Sequence, residues 1–137
     1  MRNSLLILLI FFFIPPMLHS QMTEITCTNG GEFCVGFSAE NYAQVQITTP
    51  PPIPLPSNST FTYIWTVRHQ NGTTWIWHTN LDCKAIPIPW EGEYTIRVKI
   101  LYVKKYQNYP FAAFWSNTIK VYGKQCQLDG VDAHKGN

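Results

Sequence analysis

The sequence predicts an all-β fold: an antiparallel, two-sheet β-sandwich of about seven strands, preceded by a secretory signal peptide. Three observations predict it. Four segments alternate apolar and polar residues with period two, the signature of a half-buried strand. No window repeats apolar residues at spacings of three and four over ten or more positions, as an amphipathic helix would. Turn chemistry falls between the alternating segments.

Composition sets the outer bounds. The chain has 137 residues, a formal net charge of +2, 45% apolar, 15% aromatic and 13% charged residues. That charge is too small for the strongly basic face of a nucleic-acid binder. The chain is too apolar for a disordered one. One domain is expected, over residues 21–123, with residues 124–137 as a loose C-terminal tail where the alternation stops.

Met1-Arg2-Asn3 begins the chain with one positive charge, and Leu5 to Ile14 is an unbroken apolar run ended by Pro15-Pro16. A charged start, a short apolar run and a small residue at Ser20 describe a signal peptide over residues 1–20. The run is about half of the ~20 residues that cross a bilayer. No later segment is long enough to span one, so the expected product is exported, secreted or displayed at a cell surface, with no membrane span after cleavage.

The strands follow in order. A short first strand ends at Asn29-Gly30-Gly31, and Phe33–Phe37 is the second. Ala43, Val45 and Ile47 alternate with Gln44, Gln46 and Thr48. Pro50 to Pro56 holds five prolines, which lack the amide donor of a central ladder, and is read as an extended surface crossover. Tyr63, Trp65 and Val67 alternate with Ile64, Thr66 and Arg68. Asn71-Gly72 then signals a hairpin to Thr73–Thr79. Pro87 and Pro89 make Lys84–Trp90 an edge strand or a loop. Tyr94, Ile96, Val98, Ile100 and Tyr102 mark a long strand, and Phe111–Tyr122 is the last.

Tyr63-Ile64-Trp65-Thr66-Val67 and Gly92-Glu93-Tyr94-Thr95-Ile96-Arg97-Val98 together resemble immunoglobulin-like β-sandwiches, and more closely the PKD-type modules of bacterial exported proteins. The resemblance implies that Trp65 sits in the core on a central strand and that Tyr94 is a corner residue on the strand facing it. The last strand, Phe114-Trp115-Ser116-Asn117-Thr118-Ile119-Lys120-Val121, resembles the Ser-Asn-containing final strand of such modules. The acidic Gly-Asp-Gly turn of PKD modules is absent. Ile96 stands where antibody-type domains carry a cysteine, so their inter-sheet disulfide is not implied.

Cys27, Cys34, Cys83 and Cys126 all follow the signal peptide. An even count in an exported chain suggests two disulfides, with three pairings open. No C-x-x-C pair occurs, so no metal and no cofactor are expected. No G-x-S-x-G, H-E-x-x-H or phosphate loop occurs, so the chain is read as no enzyme. His69, His78 and His134 are read as surface residues, Glu91 and Glu93 as a solvated pair at a turn, and Asp129 to Asp132 as tail. Asn58-Ser59-Thr60 and Asn71-Gly72-Thr73 are glycosylation sequons that matter in a eukaryotic source.

Function is read as a non-catalytic binding or adhesion module whose partner is a protein or glycan at a cell surface, with no nucleic acid. Trp75 and Trp77 are the candidate ligand-binding residues. Two apart on a strand, they share a face. If Ile76 points inward they form a flat carbohydrate-binding platform. If their face is the core they are packing, the preferred alternative because a small sandwich needs large residues to fill it. Trp90, Tyr106, Tyr109, Phe111 and Phe114, near turns, could extend an aromatic patch. A small secreted enzyme or inhibitor is the third alternative.

Overall fold

The computed structural model describes residues 22–35, 41–107 and 109–126. The expected signal peptide, His134 and the tail beyond Cys126 lie outside the described residues. Among the described residues there is no helix, hence none that could cross a membrane. The described residues form nine strands in two sheets. They are β1 (Glu24–Cys27), β2 (Glu32–Val35), β3 (Tyr42–Thr49), β4 (Ser59–His69), β5 (Thr74–Thr79), β6 (Cys83–Pro87), β7 (Gly92–Lys104), β8 (Pro110–Trp115) and β9 (Ile119–Gln125).

One sheet has the order β1-β3-β6. The other has the order β2-β9-β7-β4-β5, with β8 also paired to β7. Strand β7 is long enough to hold two partners end to end: β9 lies against Gly92–Ile96 and β8 against Lys99–Val103. The two inner faces meet in one core that includes Ile25, Val45, Ile86, Trp65, Val67, Ile96, Val98 and Val121. Trp65 is fully buried. Removing an indole of about 150–250 Å² from water is worth roughly 4–6 kcal/mol at about 25 cal/mol per Å². Its ring N–H donates to the Thr79 hydroxyl at 3.1 Å, so that burial leaves no orphan donor.

Tyr94 is also fully buried. Its hydroxyl donates to the Trp90 carbonyl at 2.9 Å and accepts the Trp90 N–H at 2.8 Å. This fastens the turn before β7 to the strand itself. Gly92 makes the turn possible at φ 117°, where a Cβ would also lie 2.5 Å from the Gln70 side chain.

Four features differ from the sequence reading. The sandwich is not wholly antiparallel, because β2 runs parallel to β9. The chain crosses from one sheet to the other between β1 and β2, so its first part borders both sheets. The expected single strand Phe111–Tyr122 is two strands, β8 and β9. The break between them is Ser116-Asn117-Thr118. Ser116 Oγ accepts the Val98 N–H at 2.9 Å, and Asn117 Oδ1 accepts the Ile25 N–H of β1 at 2.7 Å. The Ser116 bond replaces a ladder bond within the larger sheet, and the Asn117 bond clasps the two sheets together. The last strand also runs past Gly123 to Gln125, into the expected tail. Gly123 holds an inward position where a Cβ would meet the Trp90 carbonyl at 2.1 Å. A glycine there continues the alternation without an apolar side chain to reveal it.

The fourth difference concerns the cysteines. Cys34 and Cys126 form a disulfide with a Cα–Cα distance of 5.2 Å, stapling the parallel pair β2 and β9 across 92 residues of chain. Cys27 and Cys83 are free thiols, so the expected second bridge does not form. Register explains why. Cys27 stands opposite Val45 and Cys83 opposite Gln46, on the two sides of β3. Their strands are therefore two ladder spacings apart, roughly 9–10 Å, beyond the ~7 Å that a disulfide tolerates. Cys27 follows buried Val45 inward, whereas Cys83 follows exposed Gln46 outward. Burial raises the Cys27 thiol pKa, against backbone N–H contacts from Asn29 and Gln44 that lower it.

A thiol titration of the chain is expected to find Cys83 reacting fast in the folded state, the half-buried Cys27 more slowly, and no third thiol without reductant. Replacing Cys34 and Cys126 by alanine is expected to cost about 2–5 kcal/mol in urea unfolding, while Cys83→Ala costs almost nothing.

Candidate functional site

Strand register decides the fate of Trp75 and Trp77. Trp75 pairs with Val67 and Trp77 with Trp65. Opposed residues on an antiparallel pair share a face, and Val67 and Trp65 face the core. Both indoles therefore turn inward and are half-buried, and it is Ile76 that stands 59% exposed on the solvent side. Trp75 lies 5.3 Å from the Trp90 ring and stacks on Tyr94 at 6.2 Å. Trp77 lies under the Lys84 ammonium at 5.3 Å, closing the gap between the edge strands β5 and β6. The pair fills the open side of the sandwich and presents no flat outer platform.

His69 is buried, not a surface residue. Its Nδ1 accepts the Asn71 N–H at 3.3 Å, which leaves Nε2 to donate to the Glu91 carbonyl at 2.8 Å. The ring packs on Tyr94 at 4.6 Å. His78 is exposed. Glu93 is held by Lys120 at 3.1 Å and Tyr122 at 3.2 Å, and Glu91 accepts the Gln125 N–H at 3.4 Å. Asn58 and Asn71 are both exposed. Asn58 takes a positive φ of 58°, which asparagine tolerates, at the entry to β4. No three His, Cys, Asp or Glu residues among the described residues are placed to hold a metal ion.

Three exposed aromatics lie at the end of the sandwich where β7 turns into β8. Tyr106 is 90% exposed and Tyr109 63%, with Phe111 beside them. The proline-rich crossover between β3 and β4 reaches the same end and exposes Ile53 and Leu55. One bond joins the two loops and a second ties the crossover to β7. The Lys105 N–H donates to the Asn58 carbonyl at 2.9 Å, and the Tyr102 hydroxyl donates to the Ile53 carbonyl. Tyr102 is buried beneath, with Phe61, Phe114 and Phe111 around its ring at 4.9, 5.4 and 5.8 Å. The exposed patch thus stands on an aromatic base anchored in β4, β7 and β8. Lys104 and Lys105 flank it, and neither loop contains an acidic residue.

Tyr106, Tyr109 and Phe111 were legible as aromatics near a turn. Ile53 and Leu55 were not, because they sit between prolines in a segment that reads as a connector. Five prolines with two large apolar residues between them are the signal that the crossover is more than a spacer.

No family model, no curated protein and no solved structure matches the chain.

Two outcomes are expected. Trp75→Ala lowers unfolding free energy by about 2–3 kcal/mol, less than the ~3–5 kcal/mol of a fully buried tryptophan. Stability also falls at alkaline pH. Burial raises the pKa of Tyr63, Tyr94 and Tyr102 above the ordinary 10.0, and Tyr63 also faces the Asp82 carboxylate. The unfolded chain releases these protons near pH 10 while the folded chain holds them. Their contribution is complete below pH 10 and is lost as pH rises through the higher folded values. Urea midpoints followed with tyrosinate absorbance check the sign.

Proposed function

We propose that the chain is an exported, non-catalytic immunoglobulin-like module that binds a protein at a cell surface through its β7–β8 end. Several features support the immunoglobulin-like part. The β1-β3-β6 sheet has the order of an A-B-E sheet, and β9-β7-β4 within the facing sheet has that of a G-F-C sheet, to which β2, β5 and β8 are added. The Tyr94 hydroxyl returns to the backbone four residues upstream, as a tyrosine corner does. Trp65 fills the core position on the central strand β4. The Cys34–Cys126 bridge supports export, since such bonds persist in oxidising compartments. The non-catalytic reading is supported by His69, Glu91 and Glu93, whose polar atoms are engaged within the fold.

One observation carries the binding part. Two loops distant in sequence are bonded together and expose Ile53, Leu55, Tyr106, Tyr109 and Phe111 at one end of the sandwich, beside Lys104 and Lys105. Clustered apolar exposure with a polar rim marks an interaction surface. Tyrosines are favoured anchors because they bury much area and lose few rotamers. The cationic flank selects a partner whose apolar patch is rimmed by acidic groups.

The labelled chain is expected to adhere to the surface of its source cells. Tyr106→Ala with Tyr109→Ala should reduce adhesion at least tenfold, the effect of about 1.4 kcal/mol. Both positions are exposed, so the melting temperature should stay unchanged. Adhesion that survives this double change, or protein retained in the cytoplasm with its N-terminus intact, would overturn the proposal.

A further inference from the structure

The outer face of the six-stranded sheet carries a second arrangement, remote from the β7–β8 end. Thr66-Val67-Arg68 of β4 and Thr95-Ile96-Arg97 of β7 run antiparallel in register. Each arginine therefore stands opposite a threonine, Arg68 with Thr95 and Arg97 with Thr66. Such pairing places the two arginines on a diagonal, about 7–8 Å apart at the backbone. Thr74 and Thr118 complete the rim of a shallow basin of about 390 Å³.

The charges on this face do not cancel. Lys120 is paired with Glu93, and Lys124 with Glu32. Arg68, Arg97 and Lys99 have no carboxylate within 4 Å among the described residues. Arg97 and Lys99 are instead held over the Trp115 ring, at 4.2 and 5.3 Å. That contact orients the Arg97 side chain without consuming its hydrogen-bond donors. The basin thus offers two guanidinium forks, each suited to a planar or tetrahedral oxyanion. Between them lie threonine hydroxyls, which both donate and accept, that of Thr95 already donating to the Arg68 carbonyl at 3.4 Å and keeping its acceptor sites.

We propose that this basin binds carboxylate- or sulfate-bearing sugars, the acid group on Arg68 and Arg97 and the sugar hydroxyls on the threonines. Charge complementarity selects an anion. The hydroxyl lining selects a polyol over an acidic peptide, whose backbone would find few matched partners on a closed central ladder. The basin volume lies in the range of small-ligand sites, about 300–1,000 Å³. β4 and β7 are inner strands of the sheet, so the site is set on its most rigid part.

The test is an equilibrium titration of the full chain at low salt with polygalacturonate and with dextran sulfate. Unmodified dextran is the neutral control and polyglutamate the acidic-peptide control. At least one acidic polysaccharide should bind, and dextran should not. Arg68→Gln or Arg97→Gln should each weaken binding about tenfold, as expected for loss of a charge-assisted bond. Lys104→Gln with Lys105→Gln, which removes two charges from the β7–β8 end against the one that each arginine change removes, should change it less than about twofold. The two polysaccharides separate carboxylate from sulfate as the preferred acid group. Failure of both to bind, equal weakening by the lysine pair, or equally tight binding of polyglutamate would each overturn the proposal. None of these outcomes bears on adhesion through Tyr106 and Tyr109, so the two readings fail separately.

Discussion

The contact of Trp65 with the facing sheet is the constraint on which the molecule depends. Strand β4 carries it and pairs on both sides, with β7 and with β5. A one-residue slip of either neighbour would turn its inner residues outward. Burial of Trp65 and Val67 therefore sets the register of both neighbours. Tyr94, Ile96 and Val98 face inward because they lie against His69, Val67 and Trp65. Trp75 and Trp77 face inward for the same reason. The same register places Thr66, Arg68, Thr95 and Arg97 together on the outer face.

Polar fastenings finish what burial begins. Hydrophobic contact is non-directional and would let two sheets slide. Directional bonds stop them. Tyr94 ties the turn at Trp90 to β7, Asn117 ties β1 to the opposite sheet, and Ser116 caps Val98. Cys34–Cys126 adds a covalent link between the first and last strands of the larger sheet. Each fastening lies where a ladder ends or a chain changes sheets, which is where backbone groups would otherwise lack partners.

The period-two patterns made β3, β4 and β7 legible, because each of these strands has one wet and one dry face and enough length to show it, and Asn71-Gly72 marked the hairpin to β5. The break at Ser116-Asn117 was hidden, since both residues also fit the alternation of a continuous strand. The extension past Gly123 was hidden because its inward residue has no side chain. The parallel pairing of β2 with β9 leaves no local mark, as strands this short carry no record of their partner's direction. The cysteine count suggested two bridges, but pairing depends on which side of β3 each cysteine occupies, and that follows from register across three strands. His69 read as a surface residue because its sequence neighbours are polar. Its burial comes from Trp90 and Tyr94, more than twenty positions away.

The two exposed surfaces differ in the kind of partner that their physics allows. At the β7–β8 end the side chains are large, apolar and borne on loops, and the backbone beneath them is tied at two points. Such a surface gains mainly by excluding water, so it suits a partner with its own apolar patch. The outer sheet face has almost the opposite character. Its threonines and arginines stand on inner strands whose backbone groups are already paired, so only side chains can bond a ligand. Burying that face against an apolar partner would strip water from Arg68 and Arg97 without replacing it, which is costly for charged groups. A hydrated, anionic and hydroxyl-rich ligand avoids that cost, because it brings both counter-charge and hydrogen-bond partners. One sandwich can thus serve an apolar contact at its end and a polar contact on its flank without either surface competing for the residues of the other.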